Sequence, residues 1–145
     1  MNKKAVSYEY MSFIIDLLAQ RVGSNYDYII GIGRGGLIPA TMLAYKLNKK
    51  VLVFGINTYN NTIHTGKWTI YQPVTLPTAP SKFLVVDDIC DTGNTFNIFK
   101  GMYSNTIHTF DYASLFVKDK SSHMVNCYGF SVPEETWLTF PWEES

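Results

Sequence analysis

One stretch, Val85-Val86-Asp87-Asp88-Ile89-Cys90-Asp91-Thr92-Gly93-Asn94-Thr95, sets the tightest limits on how this chain folds. Phe83 to Val86 is a short apolar run of strand type. Two carboxylates follow where that strand is expected to end, and Asp91 comes next. Thr92-Gly93-Asn94-Thr95 then supplies main-chain amides and hydroxyls at a helix start. In an open α/β sheet, ligands bind at the carboxyl ends of the strands. Amides at a helix N-terminus suit a phosphate, and carboxylates accept hydrogen bonds from sugar hydroxyls. The combination points to one ligand carrying both a ribose and a phosphate. Helix capping alone needs one such residue, not five.

The rest of the chain reads as alternating helices and strands. Ser7 to Val22 carries Tyr10, Ile14, Leu17, Leu18 and Val22 at helical spacing, with Ser7 as N-cap and Gly23 as stop. Tyr28 to Ile32 is a buried strand. Leu37 to Leu47 is a helix that tolerates Pro39 in its first turn. Val51 to Ile56 is the next strand, and Thr58 to Thr69, rich in Asn and Thr without a clear period, is a loop. Asn94 to about Ser104 is a helix, and Tyr112 to Val117 and Met124 to Phe130 are strands. This alternation predicts an α/β fold in one domain spanning 1–145: a mostly parallel, twisted sheet covered by helices on both faces.

Composition narrows the function classes. With 145 residues and 46% hydrophobic content the chain can bury a full core. Twelve basic residues balance 12 acidic ones, which gives no electrostatic footprint for nucleic acid or an anionic membrane. Glu9 and Asp16 interrupt any secretory signal region, and no run approaches the ~18 apolar residues of a membrane span. Cys90 and Cys127 are far apart and form no metal motif, so a reduced cytoplasmic compartment is the simplest expectation. The histidines, His64, His108 and His123, lack metal-ligand spacing.

A second glycine cluster, Gly31-Ile32-Gly33-Arg34-Gly35-Gly36, lies between a strand and a helix and formally fits G-x-G-x-x-G. A dinucleotide fold should show an acidic residue after the following strand, and Gly55-Ile56-Asn57-Thr58-Tyr59 has none. No Lys-Ser or Lys-Thr follows the glycines, so this is not a P-loop. The cluster fits an anion loop, in which glycine lets the backbone approach a ligand and Arg34 offers a guanidinium to phosphate oxygens.

The acidic stretch closely resembles the phosphoribosyl pyrophosphate (PRPP) motif of type I phosphoribosyltransferases: hydrophobics, two acidic residues, two variable positions, Asp-Thr-Gly, a small residue and Thr. Ser114-Leu115-Phe116-Val117-Lys118 and the later Thr136-Trp137-Leu138-Thr139-Phe140-Pro141-Trp142-Glu143 look like the xanthine-guanine branch of the purine enzymes. The resemblance spans about Tyr26 to Glu143. It implies transfer of a 5-phosphoribosyl group from PRPP to guanine, xanthine or hypoxanthine, in a salvage role, with Mg2+. Asp87 and Asp88 would bind ribose hydroxyls or the metal, directly or through water. Asp91, Thr92, Gly93, Asn94 and Thr95 would surround the 5'-phosphate, and Arg34, Gly35 and Gly36 would hold the pyrophosphate.

Asp91 and Arg34 are the implied catalytic residues. Lys118 would donate to the purine 6-oxo group, Trp137 would stack on the base, and Leu138 would read its edge through the main chain. Trp137 and Leu138 fall in a small C-terminal hood over the base. The segment 58–69, with Tyr59, His64, Lys67 and Trp68, is where the family usually places a mobile flap, and Lys67 could reach pyrophosphate. Relatives are usually dimers or tetramers, so a homodimer or homotetramer is expected. Two other readings stay open: a non-catalytic PRPP- or nucleotide-binding regulator on the same fold, and a phosphoacceptor receiver domain. A receiver, however, carries its acidic pair after its first strand, and here the pair comes far later.

Overall fold

The computed structural model describes residues 2–58 and 68–143. Its main sheet has six strands: β2 (Tyr28–Ile32), β3 (Lys50–Thr58), β4 (Trp68–Gln72), β5 (Lys82–Cys90), β6 (Thr109–Lys118) and β7 (Cys127–Val132). Their spatial order is β4-β3-β2-β5-β6-β7. All neighbours pair parallel except β3 and β4, which are antiparallel. A separate two-stranded parallel sheet joins β1 (Asn2–Ala5) to β8 (Thr136–Thr139).

Among the described residues three α-helices cover the main sheet: α1 (Tyr8–Val22), α2 (Leu37–Leu47) and α3 (Asn94–Tyr103). The Ser7 side chain accepts from the Tyr10 N–H and starts α1, and Gly23, at φ 74°, ends it. Two apolar clusters lie on opposite faces. Met11, Ile14, Ile15 and Leu18 of α1 and Ala40 and Leu43 of α2 pack with Ile29, Leu84 and Val86. Phe96 and Phe99 of α3 pack with Ile30, Phe54, Phe83 and Val85. Strand alternation sends successive residues of β2 and β5 to opposite clusters, which is why these strands read as unbroken apolar runs. Each fully buried side chain of this size contributes about 1.5–3 kcal/mol of transfer free energy.

Several sequence expectations need correction. β5 does not end at Val86 but runs through both aspartates to Cys90. The segment 58–69 is not all loop, because Thr58 closes β3 and Trp68 and Thr69 open β4, paired across the antiparallel ladder. Tyr59, His64 and Lys67 lie outside the described residues. Met124 belongs to a 3-10 turn, Asp119–Met124, and the following strand starts at Cys127. The hood is not purely C-terminal, since β1 supplies half of its small sheet. Among the described residues no helix is long and apolar enough to cross a membrane.

Candidate active site

From β2 the chain passes to β3 on one side and, later, to β5 on the other. The carboxyl ends of β2 and β5 therefore flank the point where the sheet reverses its winding, the place such sheets bind ligands. Both sequence motifs meet there. The turn after β2 carries Arg34, Gly35 and Gly36, and the end of β5 carries Asp87 and Asp88. A Cβ on Gly35 would lie 2.2 Å from Asp88 Oδ2, and one on Gly36 would lie 2.6 Å from the Val86 carbonyl oxygen. Only glycine allows the loop to rest on the acidic strand this closely. Gly33 turns the chain at φ 61°, and the Arg34 side chain is exposed.

The acidic pair sits on a break in the ladder. Neighbouring residues of β5 pair with β6 in register, but Asp88 and Leu115 do not bridge, and neither do Leu115 and Gly129 one strand further on. The alternation of faces slips with it, because Val86 and Ile89 pack towards the same cluster. Carboxylates take over the main-chain donors there. The Asp88 N–H donates to Asp87 Oδ1 at 2.8 Å, and the Ile89 N–H donates to Asp88 Oδ1 at 2.7 Å.

Burial raises the Asp87 carboxyl well above the usual carboxylate range, and the charge of Asp88 raises it further. Burial raises Asp88 as well, and Glu143 is close enough to add to the rise. Glu143 follows the second Trp of the C-terminal segment, and its carboxylate also accepts from the Phe140 N–H at 2.7 Å. Sequence reasoning gave Glu143 no role, because nothing in its spacing ties it to residue 88.

Beyond β5 the chain enters Asp91-Thr92-Gly93 and then α3. Gly93 is the N-cap at φ 85°, a left-handed conformation suited to glycine. The Asn94 N–H reaches Thr92 Oγ1 at 3.2 Å, and the Asn97 N–H starts the helix on the Gly93 carbonyl at 2.9 Å. Asp91, Thr92 and Asn94 are exposed and Thr95 is half-buried, so the mouth of the loop opens outward. The 3-10 turn closes the loop from behind. Ser121 Oγ donates to the Asp91 carbonyl oxygen, and a Cβ on Gly93 would fall 2.1 Å from Met124 Sδ.

The residues expected to read the base come together as a second group. Lys118, only 5% exposed, ends β6. Its ammonium donates to the carbonyls of Glu134 (2.9 Å), Pro133 (3.5 Å) and Thr136. All three donors are thus engaged by the segment that leads into β8. Trp137, on β8, is 55% exposed, whereas the Leu138 side chain is buried in the core. The Asn2 N–H donates to the Glu135 carbonyl and the Val6 N–H to that of Thr139. Strand alternation then turns the main-chain groups of Thr136 and Leu138 to the opposite edge, the edge Lys118 reaches.

A groove of about 480 Å³ lies at the other pole of the sheet, lined by Asp27, Tyr28, Asn48, Lys49, Lys50 and Ser81 among others. It surrounds the starts of β2 and β3 and holds none of the motif residues. The motif residues lie at the carboxyl pole.

An α/β sheet with a glycine loop and an acidic strand end at its switch point places this chain in the class of doubly wound folds whose ligand sites lie at the carboxyl ends of the strands. The family model of the phosphoribosyl transferase domain matches residues 7–125, and the chain belongs to that family. It is similar to the xanthine-guanine phosphoribosyltransferase of Idiomarina loihiensis, at 29% identity over 141 residues, 95% of this chain and 85% of that protein. The enzyme of the same description from Cereibacter sphaeroides is 29% identical over 124 residues, 79% of this chain and 68% of that one. The crystal structure of a purine phosphoribosyltransferase from Pyrococcus horikoshii superposes with a TM-score of 0.86 at 29% identity, covering 100% of this chain and 96% of that one.

Proposed function

We propose that the protein transfers the 5-phosphoribosyl group of PRPP to a 6-oxopurine (guanine, xanthine or hypoxanthine), releasing pyrophosphate and forming the nucleoside 5'-monophosphate. The observation that carries this reading is the meeting of the Gly35-Gly36 turn with Asp87 and Asp88 beside the Thr92-Gly93-Asn94 loop. The similarity to xanthine-guanine and purine phosphoribosyltransferases supports the choice of base class.

Thr92, Gly93, Asn94 and Thr95 cradle the 5'-phosphate with amides and hydroxyls. Arg34, Gly35 and Gly36 bind the pyrophosphate and hold it in line for departure. Asp87 and Asp88 accept from the ribose hydroxyls. A divalent cation fits this pair, because two crowded, half-buried carboxyls pushed towards the neutral form lose their mutual repulsion beside a positive ion. Asp87 and Asp88 would hold Mg2+, directly or through water, and the ion would supply charge neutralisation for the departing pyrophosphate.

Trp137 offers an exposed indole face for the base, worth ~1 kcal/mol beyond burial. Lys118 donates to the 6-oxo group, exchanging one of its main-chain carbonyls for the purine oxygen. A lysine donor rejects the amino group of adenine. Asp91 stands between the phosphate loop and the base, where its carboxylate takes a proton from the purine as N9 attacks the anomeric carbon. The free thiols of Cys90 and Cys127 suit a cytoplasmic enzyme. Exposed Tyr45, Val53 and Tyr71 suit assembly as a homodimer or homotetramer.

Asp91→Asn tests the chemistry. Turnover is expected to fall roughly 100-fold, as for loss of a general base, with PRPP affinity little changed. Unchanged turnover in steady-state assays removes Asp91 from the reaction.

A further inference from the structure

We infer that Ser121 is a positioning residue that sets the phosphate loop by holding the Asp91 carbonyl. The inference rests on the reading of Asp91 to Thr95 as the 5'-phosphate cradle. Ser121 is 3% exposed and belongs to the 3-10 turn that directly follows Lys118. Its hydroxyl reaches across to the Asp91 carbonyl oxygen, 30 positions away in sequence.

A trans peptide points its carbonyl and its N–H in opposite directions. By drawing the Asp91 carbonyl towards the turn, Ser121 aims the Thr92 N–H away from it, into the open mouth of the loop. Among the described residues the Thr92 and Gly93 N–H groups have no main-chain or side-chain acceptor. They are the donors an anion would take. Met124, at the end of the same turn, packs on Gly93 from the same side. The turn therefore links the two halves of the site, with Lys118 at one end of it and the phosphate loop against the other.

The hydroxyl has little else to do. It sits in a solvent-excluded position, and among the described residues its one hydrogen bond is to Asp91. Ser121→Ala removes that bond and leaves the carbonyl to turn, while the volume of the site hardly changes. Ser121→Thr keeps the hydroxyl.

The test measures PRPP affinity by calorimetry with Mg2+ present, the KM for the base at saturating PRPP, and thermal melting, for the wild type and both variants. Ser121→Ala is expected to weaken PRPP roughly fivefold to tenfold, the range of one hydrogen bond, with the KM for the base and the melting temperature close to wild type. Ser121→Thr is expected to restore most of the PRPP affinity. Wild-type affinity in Ser121→Ala overturns the inference, and so does an equal loss for PRPP and base accompanied by a lower melting temperature. A wild-type protein that binds no PRPP overturns both this inference and the reading on which it rests.

Discussion

Gly35 and Gly36 are adjacent, yet each meets a different kind of obstacle. A methyl at Gly35 would strike the end of the Asp88 side chain, 2.2 Å from Oδ2. A carboxylate can swing aside, so Gly35→Ala is expected to fold with little loss of stability but to misplace Asp88 and cost most of the activity. A methyl at Gly36 would strike main-chain atoms: the carbonyls of Val86 and Ile32 and the Asp87 Cα, at 2.6, 2.7 and 2.9 Å. Backbone cannot move alone, so Gly36→Ala is expected to cost about 1–3 kcal/mol of stability, as overpacking does. Denaturant melts and steady-state rates of the two variants separate these outcomes. Equal melting of both proteins contradicts the packing of the loop against β5.

At the scale of elements, β8 depends on β1. Two short strands alone are marginal in water, and all four β1 residues are exposed, so the hood is held by its ladder, by Lys118 and by Leu138 packed in the core. Lys4 lies midway between the donors Asn2 and Val6 and by alternation also donates to β8. Lys4→Pro removes that donor. The KM for the base is expected to rise roughly fivefold, the scale of one hydrogen bond, with PRPP affinity unchanged. A rise for PRPP alone would contradict the assignment of the hood to the base.

This dependence was not legible in the sequence. Asn2-Lys3-Lys4-Ala5 has no apolar alternation, because both of its faces meet water, and its partner lies at the other end of the chain. By contrast Tyr28–Ile32 and Leu37–Leu47 emerged with the bounds expected, because full burial and a capped helix leave a local signature. The end of β5 was misplaced since carboxylates in a strand are rare, and only the broken ladder at Asp88 explains how they are accommodated. That residues 91–95 lead from a strand into a helix start was readable. Ser121 and Met124 were not, because their contacts depend on where the 3-10 turn lands.

For the molecule as a whole, the acidic pair makes stability depend on pH. The raised Asp87 and Asp88 carboxyls hold protons in the folded state that the unfolded chain has already released. Wherever the folded state binds more protons, stability falls as pH rises. Their contribution is therefore greatest at acidic pH and is lost as pH climbs from the ordinary carboxylate range through the raised folded values. Asp87→Asn keeps an oxygen for the Asp88 N–H and removes one charge of the pair. It is expected to melt higher than wild type at neutral pH, with a flatter pH dependence, and to lose activity, a trade typical of binding sites. Melting curves across pH check this, and a variant that melts lower at neutral pH contradicts it.

The most direct measurement is chromatography of the products formed with PRPP, Mg2+ and, separately, guanine, xanthine, hypoxanthine, adenine and uracil, for wild type and Lys118→Ala. A 6-oxopurine nucleoside monophosphate is expected, with none from adenine or uracil, and its formation is expected to collapse in Lys118→Ala. No product from any base, in a protein that still binds PRPP, would contradict the assignment as an enzyme and leave a PRPP-binding regulator on the same fold.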